Sequence, residues 1–576
     1  MTPGGWGARI RPWANRPWAV LISLTAAASL AYANALRNPF MWDDQYLILD
    51  NPLIRDLARL PDVFTQHLYY GTAGLSNFYR PLQTLLLMAE HALWGSNVFG
   101  YHLVSLVVHV LCAWTAYLLI AEAFGRRGVA AMTAVLFAVH PINSTVVDYV
   151  SSRADSQAAL GAMASFWMLL KAESASRGSA RFWYLGSIAA FVAALLSKEL
   201  GAVTPFWIAA GLLALRRGRL RRLWPFWAVL AVYAGLRLTV LSFPSSSPDP
   251  GVPLGLRLLT SAEALVRLIG LMAAPRAIHV EKGIPFSSGL SDPDTLVALA
   301  GLALAGAVAW QVRRRSRLGW FGIVWFAVCL LPMSNIVPLN TTLADHWLYL
   351  PGPGLLLAVI GTAADLIGRL PEGARRRAAS AALVCWVIVF AGFGALTVRQ
   401  NRIWSDPEQF FRLATRLSPQ SFRAHNELGV LYLRREDYAR AIEEFTEAVR
   451  LNPGFDQAYD NLGTAYDHAG ELKKAVAVHR RALELNPNNP KTYNNLGNAY
   501  FKMGAWDQAI EAYSKALTLN PGYLAAYSNL GALYFQRGQP DQARRMWERA
   551  LAVDPNFSPA RQNLQLLRND QSEAGR

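Results

Sequence analysis

Asn461-Leu462-Gly463-Thr464-Ala465-Tyr466 and Asn495-Leu496-Gly497-Asn498-Ala499-Tyr500 are two copies of one pattern, 34 residues apart. The interval holds across the C-terminal third of the chain. Pro419, Pro453, Pro487, Pro521 and Pro555 keep it, and so do Gly429, Gly463, Gly497 and Gly531. A period of this length marks a helix pair that cannot bury its apolar face alone and must stack on the next copy. The glycine lets the two helices of a unit approach closely, and the proline stands where a helix cannot continue. Four full units cover 422–557. Residues 558–568 read as a capping helix, 569–576 as a disordered tail, and 400–421 as a helical linker from the segment before.

Residues 1–399 have a different solvent. Over all 576 residues, 53% are hydrophobic and 16% charged, against about 25% charged in a soluble domain. Apolar runs of spanning length lie at 17–36, 98–124, 128–147, 154–171, 181–197, 200–215, 223–241, 294–312, 318–338, 346–365 and 378–398. The fold class is all-α: a polytopic membrane bundle of about eleven spans, followed by an α-solenoid. Cys112, Cys329 and Cys385 all fall inside apolar runs without metal-ligand spacing.

The net charge of +16 does not indicate nucleic acid, because arginine gathers in short clusters between apolar runs: Arg126-Arg127, Arg216 to Arg222, Arg313 to Arg317 and Arg375 to Arg377. Such clusters mark cytoplasmic loops. With Arg9, Arg11 and Arg16 cytoplasmic and the first span retained, eleven spans return every cluster to that side. Segment 259–280 then reads as interfacial or re-entrant. The topology places 37–97, 140–155, the turn at Lys198-Glu199 and 339–346 on the opposite face, and the repeats beyond it. The Arg- and Ala-rich composition suggests a bacterial inner membrane, with the repeats in the periplasm.

Ionisable residues at membrane depth are costly and therefore functional candidates. On the outer face, Trp42-Asp43-Asp44 supplies adjacent carboxylates, one of which can hold a raised pKa and act as a general base; from the dipeptide alone, one capping and one solvated carboxylate explain the pair better. Arg80, in Tyr79-Arg80-Pro81, can hold an anion or snorkel to the interface. His140, Arg153 and Asp155 stand at the outer end of the third and fourth spans. Lys198-Glu199 and Asp345-His346 complete the set, although Lys198 and Glu199 can also neutralise each other.

In this order, Trp42-Asp43-Asp44 with Asn51-Pro52, Tyr79-Arg80-Pro81-Leu82, His140-Pro141, Arg153-Ala154-Asp155, Lys198-Glu199, Leu348-Tyr349-Leu350-Pro351 and then the repeats make the chain resemble the transmembrane and tetratricopeptide-repeat O-mannosyltransferases. These belong to the GT-C class of polyprenyl-phosphate-sugar-dependent glycosyltransferases. The resemblance covers nearly the whole chain. It implies transfer of a hexose, most simply mannose, from a polyprenyl phosphate in the membrane to a Ser or Thr hydroxyl of a protein acceptor, by one inverting displacement. Asp43 would be the base and Asp44 would orient or share that role. Arg80, Arg153, Lys198 and His346 would hold the phosphate, supported by His140, Asp155, Glu199 and Asp345. The family pattern expects an acid-arginine pair where this chain has Asp345-His346, and an imidazole is a poorer permanent phosphate clamp. A divalent metal on Asp43 and Asp44 would suit hard-cation chemistry, but cations already face the phosphate, so no metal or other cofactor is expected.

Asn461, Asn495 and Asn529 stand two positions before the repeat glycines, and Asn563 continues the series. Such a ladder can hold the backbone of an extended acceptor peptide, or it can belong to the stacking consensus. Glu427 breaks it in the first unit. Two other functions fit the same organisation: a GT-C enzyme acting on a lipid or cell-wall glycan, and a non-catalytic membrane-anchored scaffold. A transporter fits less well, because the charges gather at one face.

Overall fold

The computed structural model describes residues 13, 15–70, 77–243, 251–275, 283–339 and 341–574, with side chains described to residue 568. Arg9, Arg11 and the last two residues of the tail lie outside them. The chain divides into two compact units, Met1–Phe410 and Phe411–Arg576.

In the first unit a helix occupies each of the eleven apolar segments, from Pro17–Tyr32 to Glu372–Trp404. Four of them are long and apolar enough to cross a membrane alone: Val98–Phe124, Arg177–Ser197, Pro293–Arg315 and Glu372–Trp404. A fifth is a helix pair, Arg127–Ala138 and Pro141–Val147, bent by 52°. The bend has a local cause, since the residue before a proline is driven out of the helical region and Pro141 cannot donate. Side chains satisfy the groups this frees. Asn143 Nδ2 donates to Phe137 O at 2.7 Å, and His140 Nδ1 accepts from Ile142 N at 3.2 Å.

Two further helices of this unit bear on the site. Pro81–Trp94 lies inside the outer segment 37–97, and Leu254–Ala273 occupies the stretch read as interfacial. Small residues allow close helix packing in lipid. A Cβ at Gly322 would stand 2.5 Å from Gly354 O and Ala358 N, which fixes the contact between Arg317–Leu330 and Gly352–Gly368.

The expected linker is divided. The last apolar helix runs on to Trp404, a separate helix spans Pro407–Leu417, and the boundary between units falls after Phe410.

The second unit holds four helix pairs, Phe422–Arg434 to Pro540–Val553, and a final helix Ser558–Ala574 that continues past the expected end at 568. Each repeat glycine meets a ring of its own pair: Gly429 Phe445, Gly463 His479, Gly497 Tyr513 and Gly531 Trp547. A Cβ at Gly463 would come within 2.7 Å of the His479 ring, so only glycine admits that approach.

Candidate active site

The four segments assigned to one membrane face meet in the structure. Segment 37–97 joins 140–155 through Asp44 and Ser151, and through Glu90 and Arg153. It joins the 198–199 turn through Arg80 and Glu199, and that turn reaches Asp155 through Lys198. His346 sits in the electrostatic field of Asp155, Lys198 and Arg80.

Asp43 and Asp44 stand in different surroundings. Asp44 is fully buried, and its Oδ1 accepts from Ser151 N at 2.7 Å and Ser151 Oγ at 2.6 Å, while Oδ2 accepts from Met41 N at 3.3 Å. Burial pushes its pKa up to about 7, against the pull of those three donors. A carboxylate so enclosed ties its loop to the turn at Ser151. The half-buried Asp43 donates its backbone N–H to Tyr149 Oη at 3.1 Å.

The expected phosphate cations divide in the same way. Arg153 and Glu90 are both fully buried and form a two-pronged pair: Nη1 reaches Glu90 Oε1 at 2.6 Å and Nη2 reaches Oε2, while Nη1 also donates to Tyr101 O at 3.1 Å. A guanidinium closed off by its own carboxylate cannot hold a substrate phosphate, so Arg153 is an internal tie. His346 is partly buried in the Asp345–Leu348 turn, in the field of Asp155, Lys198 and Arg80, and an imidazole there is a weaker permanent cation than the arginine the family pattern expects. His140 accepts at Nδ1, so its proton sits on Nε2 and points to Met272 O at 3.1 Å, and the ring packs edge-on to Phe393. It fastens the Pro141 bend to the Leu254–Ala273 helix.

Arg80 and Lys198 remain. Arg80 Nε and Nη2 both reach Glu199 Oε2 at 3.2 Å, and Glu199 Oε1 takes Tyr79 N at 3.4 Å. Lys198 Nζ bonds both Asp155 oxygens at 2.7 and 2.8 Å. Asp345 is buried in the adjoining Asp345–Leu348 turn.

Three residues absent from the sequence reading belong here. Glu90 was legible as a lone carboxylate in an apolar helix. Arg237 ends an apolar run and donates to Asn77 Oδ1 at 3.1 Å. Nothing in the sequence distinguishes Tyr149.

In the repeats, the asparagine ladder is turned toward its neighbours. Asn461 Nδ2 donates to Asn426 Oδ1 at 2.9 Å, Asn495 Nδ2 to Asp460 Oδ1 at 3.1 Å, and Asn529 Nδ2 to Asn494 and Asn498 Oδ1, each at 3.0 Å. These amides stitch each repeat to the one before it, so their donors are not directed at a peptide. At the start, Asn426 Nδ2 donates to Glu427 Oε1 at 3.0 Å. Asn563 lies half-buried in the capping helix. A cavity of about 310 Å³ is lined by Asp467, Asn498, Phe501, Lys502 and Tyr513, among others. There Asn498 Oδ1 receives both Tyr513 Oη at 2.8 Å and Asn529 Nδ2, which turns its own N–H₂ away from both.

The family model described as dolichyl-phosphate-mannose-protein mannosyltransferase matches residues 80–243, and tetratricopeptide-repeat models match 422–455, 468–504, 490–523 and 525–557. The human protein O-mannosyl-transferase TMTC1 is 25% identical over 465 residues, covering 70% of this chain and 52% of its own. The human TMTC4 protein is 26% identical over 484 residues, covering 72% and 63%. Human TMTC2 is 33% identical over 193 residues, covering 31% and 22%. The chain thus spans about half the length of the first of these relatives. Among solved structures, a crystal structure of MamA aligns with 26% of this chain and 88% of its own, at 29% identity and a TM-score of 0.25.

Proposed function

From a chain that joins a mannosyltransferase-family segment to tetratricopeptide repeats, we propose a membrane glycosyltransferase that moves a hexose, mannose first among candidates, from a polyprenyl phosphate to Ser or Thr of a protein acceptor. The observation that carries this reading is that one segment, 140–155, holds the Asp43 loop through Tyr149 and Lys198 through Asp155, while Glu199, the neighbour of Lys198, pairs with Arg80.

The acceptor oxygen attacks the anomeric carbon, and its proton passes to the Asp43 carboxylate. The bond from that carbon to the phosphate oxygen breaks, and its electrons leave with the phosphate, inverting the centre. The phosphate is a stable anion, so this side needs hydrogen-bond donors more than an acid. Arg80 has five N–H groups, of which Nε–H and one at Nη2 go to Glu199, and Lys198 adds a point charge. Their carboxylate partners keep the site neutral until the phosphate arrives. The repeats recruit the acceptor, with the Asn498–Lys502 groove offering donors to peptide carbonyls. The setting is a bacterial inner membrane, spanned about eleven times, with the N-terminus cytoplasmic and the repeats periplasmic.

The test is transfer of labelled mannose from polyprenyl-phosphate-mannose to membrane and periplasmic proteins, comparing the intact chain with Asp43→Asn. Loss of label by about a hundredfold or more is expected, a hundredfold being the lower end for a removed base. Equal label from both would remove Asp43 from the chemistry, and label confined to lipid would redirect the acceptor assignment.

A further inference from the structure

The main chain leading into the proposed base takes a disfavoured shape. Trp42 has φ +52°, in the left-handed region that bulky side chains rarely enter. Such a backbone persists where its surroundings over-determine it. Here the surroundings are the turn at 149–151. Tyr149 Oη accepts the Asp43 N–H at 3.1 Å, and Ser151 donates to Asp44 through both its N–H and its hydroxyl. The turn therefore grips the main chain of one aspartate and the side chain of the next.

Tyr149 is itself firmly held. It is buried, and its ring stacks on Trp404 with centroids 5.8 Å apart at 23°. Trp404 packs in turn on Phe410 at 4.5 Å. The stack requires only an aromatic ring, and a phenylalanine would supply it equally well. What the hydroxyl adds to the ring is the bond to the Asp43 amide.

We infer that Tyr149 is a positioning residue for the transfer reaction: its hydroxyl, steadied by Trp404, fixes the main chain of Asp43 so that the carboxylate meets the acceptor hydroxyl. The inference rests on the function proposed above. It separates the two aspartates by role, with Asp43 receiving the proton and Asp44 and Tyr149 holding it in place.

The experiment compares the full-length chain with Tyr149→Phe in membranes, measuring kcat and donor KM, together with hydrogen exchange over residues 41–50. A displaced catalytic group typically loses about ten- to a hundredfold in rate. The expected result is kcat at least about tenfold lower, donor KM within about twofold of wild type, and faster exchange at Asp43. Wild-type kcat in Tyr149→Phe would overturn the inference and leave the proposed function standing. A rise in KM with unchanged kcat would overturn it as well, since that is the signature of lost substrate binding. If Tyr149→Phe does not accumulate, Trp404→Leu decides, because it keeps the hydroxyl and removes its support. Lower kcat at unchanged KM supports the inference, and wild-type kcat overturns it. An inert wild-type chain on every sugar donor tried would instead defeat the function, and the catalytic meaning of Tyr149 with it.

Discussion

Replacing Glu90 by glutamine removes the charge that pairs with Arg153 and changes almost nothing in shape. Both side chains are 1% exposed, so water cannot take over the guanidinium. Breaking one side of such a pair costs about 3–5 kcal/mol, chiefly from the uncompensated charge that remains. At a few degrees per kcal/mol, the thermal midpoint of the solubilised chain should fall by on the order of 10 °C. Arg153→Met alone strands Glu90 and should cost a similar amount. In Glu90→Leu/Arg153→Met neither charge is left, and the remaining deficit is the donor lost to Tyr101 O, about 1–3 kcal/mol. The double variant should therefore recover most of the stability and, because Arg153 is assigned to packing, most of the sugar transfer. Thermal unfolding and the mannose-transfer assay on the same four preparations test both halves. A double variant that folds like wild type but transfers nothing would return Arg153 to the phosphate site. Glu90→Gln melting like wild type would refute the energetic reasoning.

Asp44 gives a pH signature. Its folded pKa is raised to about 7 from an ordinary value near 4, so its contribution to stability is full at low pH and is lost as pH rises through 7. Melting midpoints from pH 5 to 8 should decline more steeply in wild type than in Asp44→Asn, and parallel curves would remove this role. Asn461→Ala should cost about 1 kcal/mol by cutting the bond to Asn426 while leaving acceptor KM unchanged; raised KM at unchanged stability would restore the ladder to peptide binding. In the second repeat, burial opposes the charge on Asp460, but His479 at 3.2 Å and the Lys491 ammonium hold its carboxyl well below the usual range. His479→Phe should destabilise the repeats by about 1–3 kcal/mol, and adding Asp460→Asn should recover part of the loss by copying the Asn426 and Phe445 pattern of the first repeat. Urea unfolding of the four combinations measures the coupling, and strictly additive losses would disprove it.

The parts of this structure written in the sequence are those governed by period or composition. Apolar runs located the helices because lipid and core both demand them, and the 34-residue interval located the repeats because stacking imposes it. Arginine placement grouped 37–97, 140–155 and the 198–199 turn on one side, and ion pairs and hydrogen bonds join these three segments to one another. What remained hidden were partner choices. Arg153 and Lys198 looked alike as cations near a face, and each is paired with a buried carboxylate, Glu90 or Asp155; they differ in that Arg153 is 1% exposed and Lys198 15% exposed. Asp43 and Asp44 are neighbours of identical chemistry, separated only by which of them a distant serine reaches. The asparagine ladder was visible while its direction was not, although the Asp460-Asn461 and Asn494-Asn495 doublets carried the signal: the first member accepts and the second donates.

That ladder has a beginning, and Glu427 marks it. Asn461, Asn495 and Asn529 each hand amide hydrogens backward to the repeat that came before, but the first repeat has none before it. A carboxylate there takes the amide hydrogens of Asn426 and leaves its oxygen facing forward to Asn461. Glu427 thus works as punctuation: it closes the series on one side and sets the polarity of every rung that follows. An inserted repeat could be accommodated anywhere after it, whereas one placed before it would meet a rung with nothing to give.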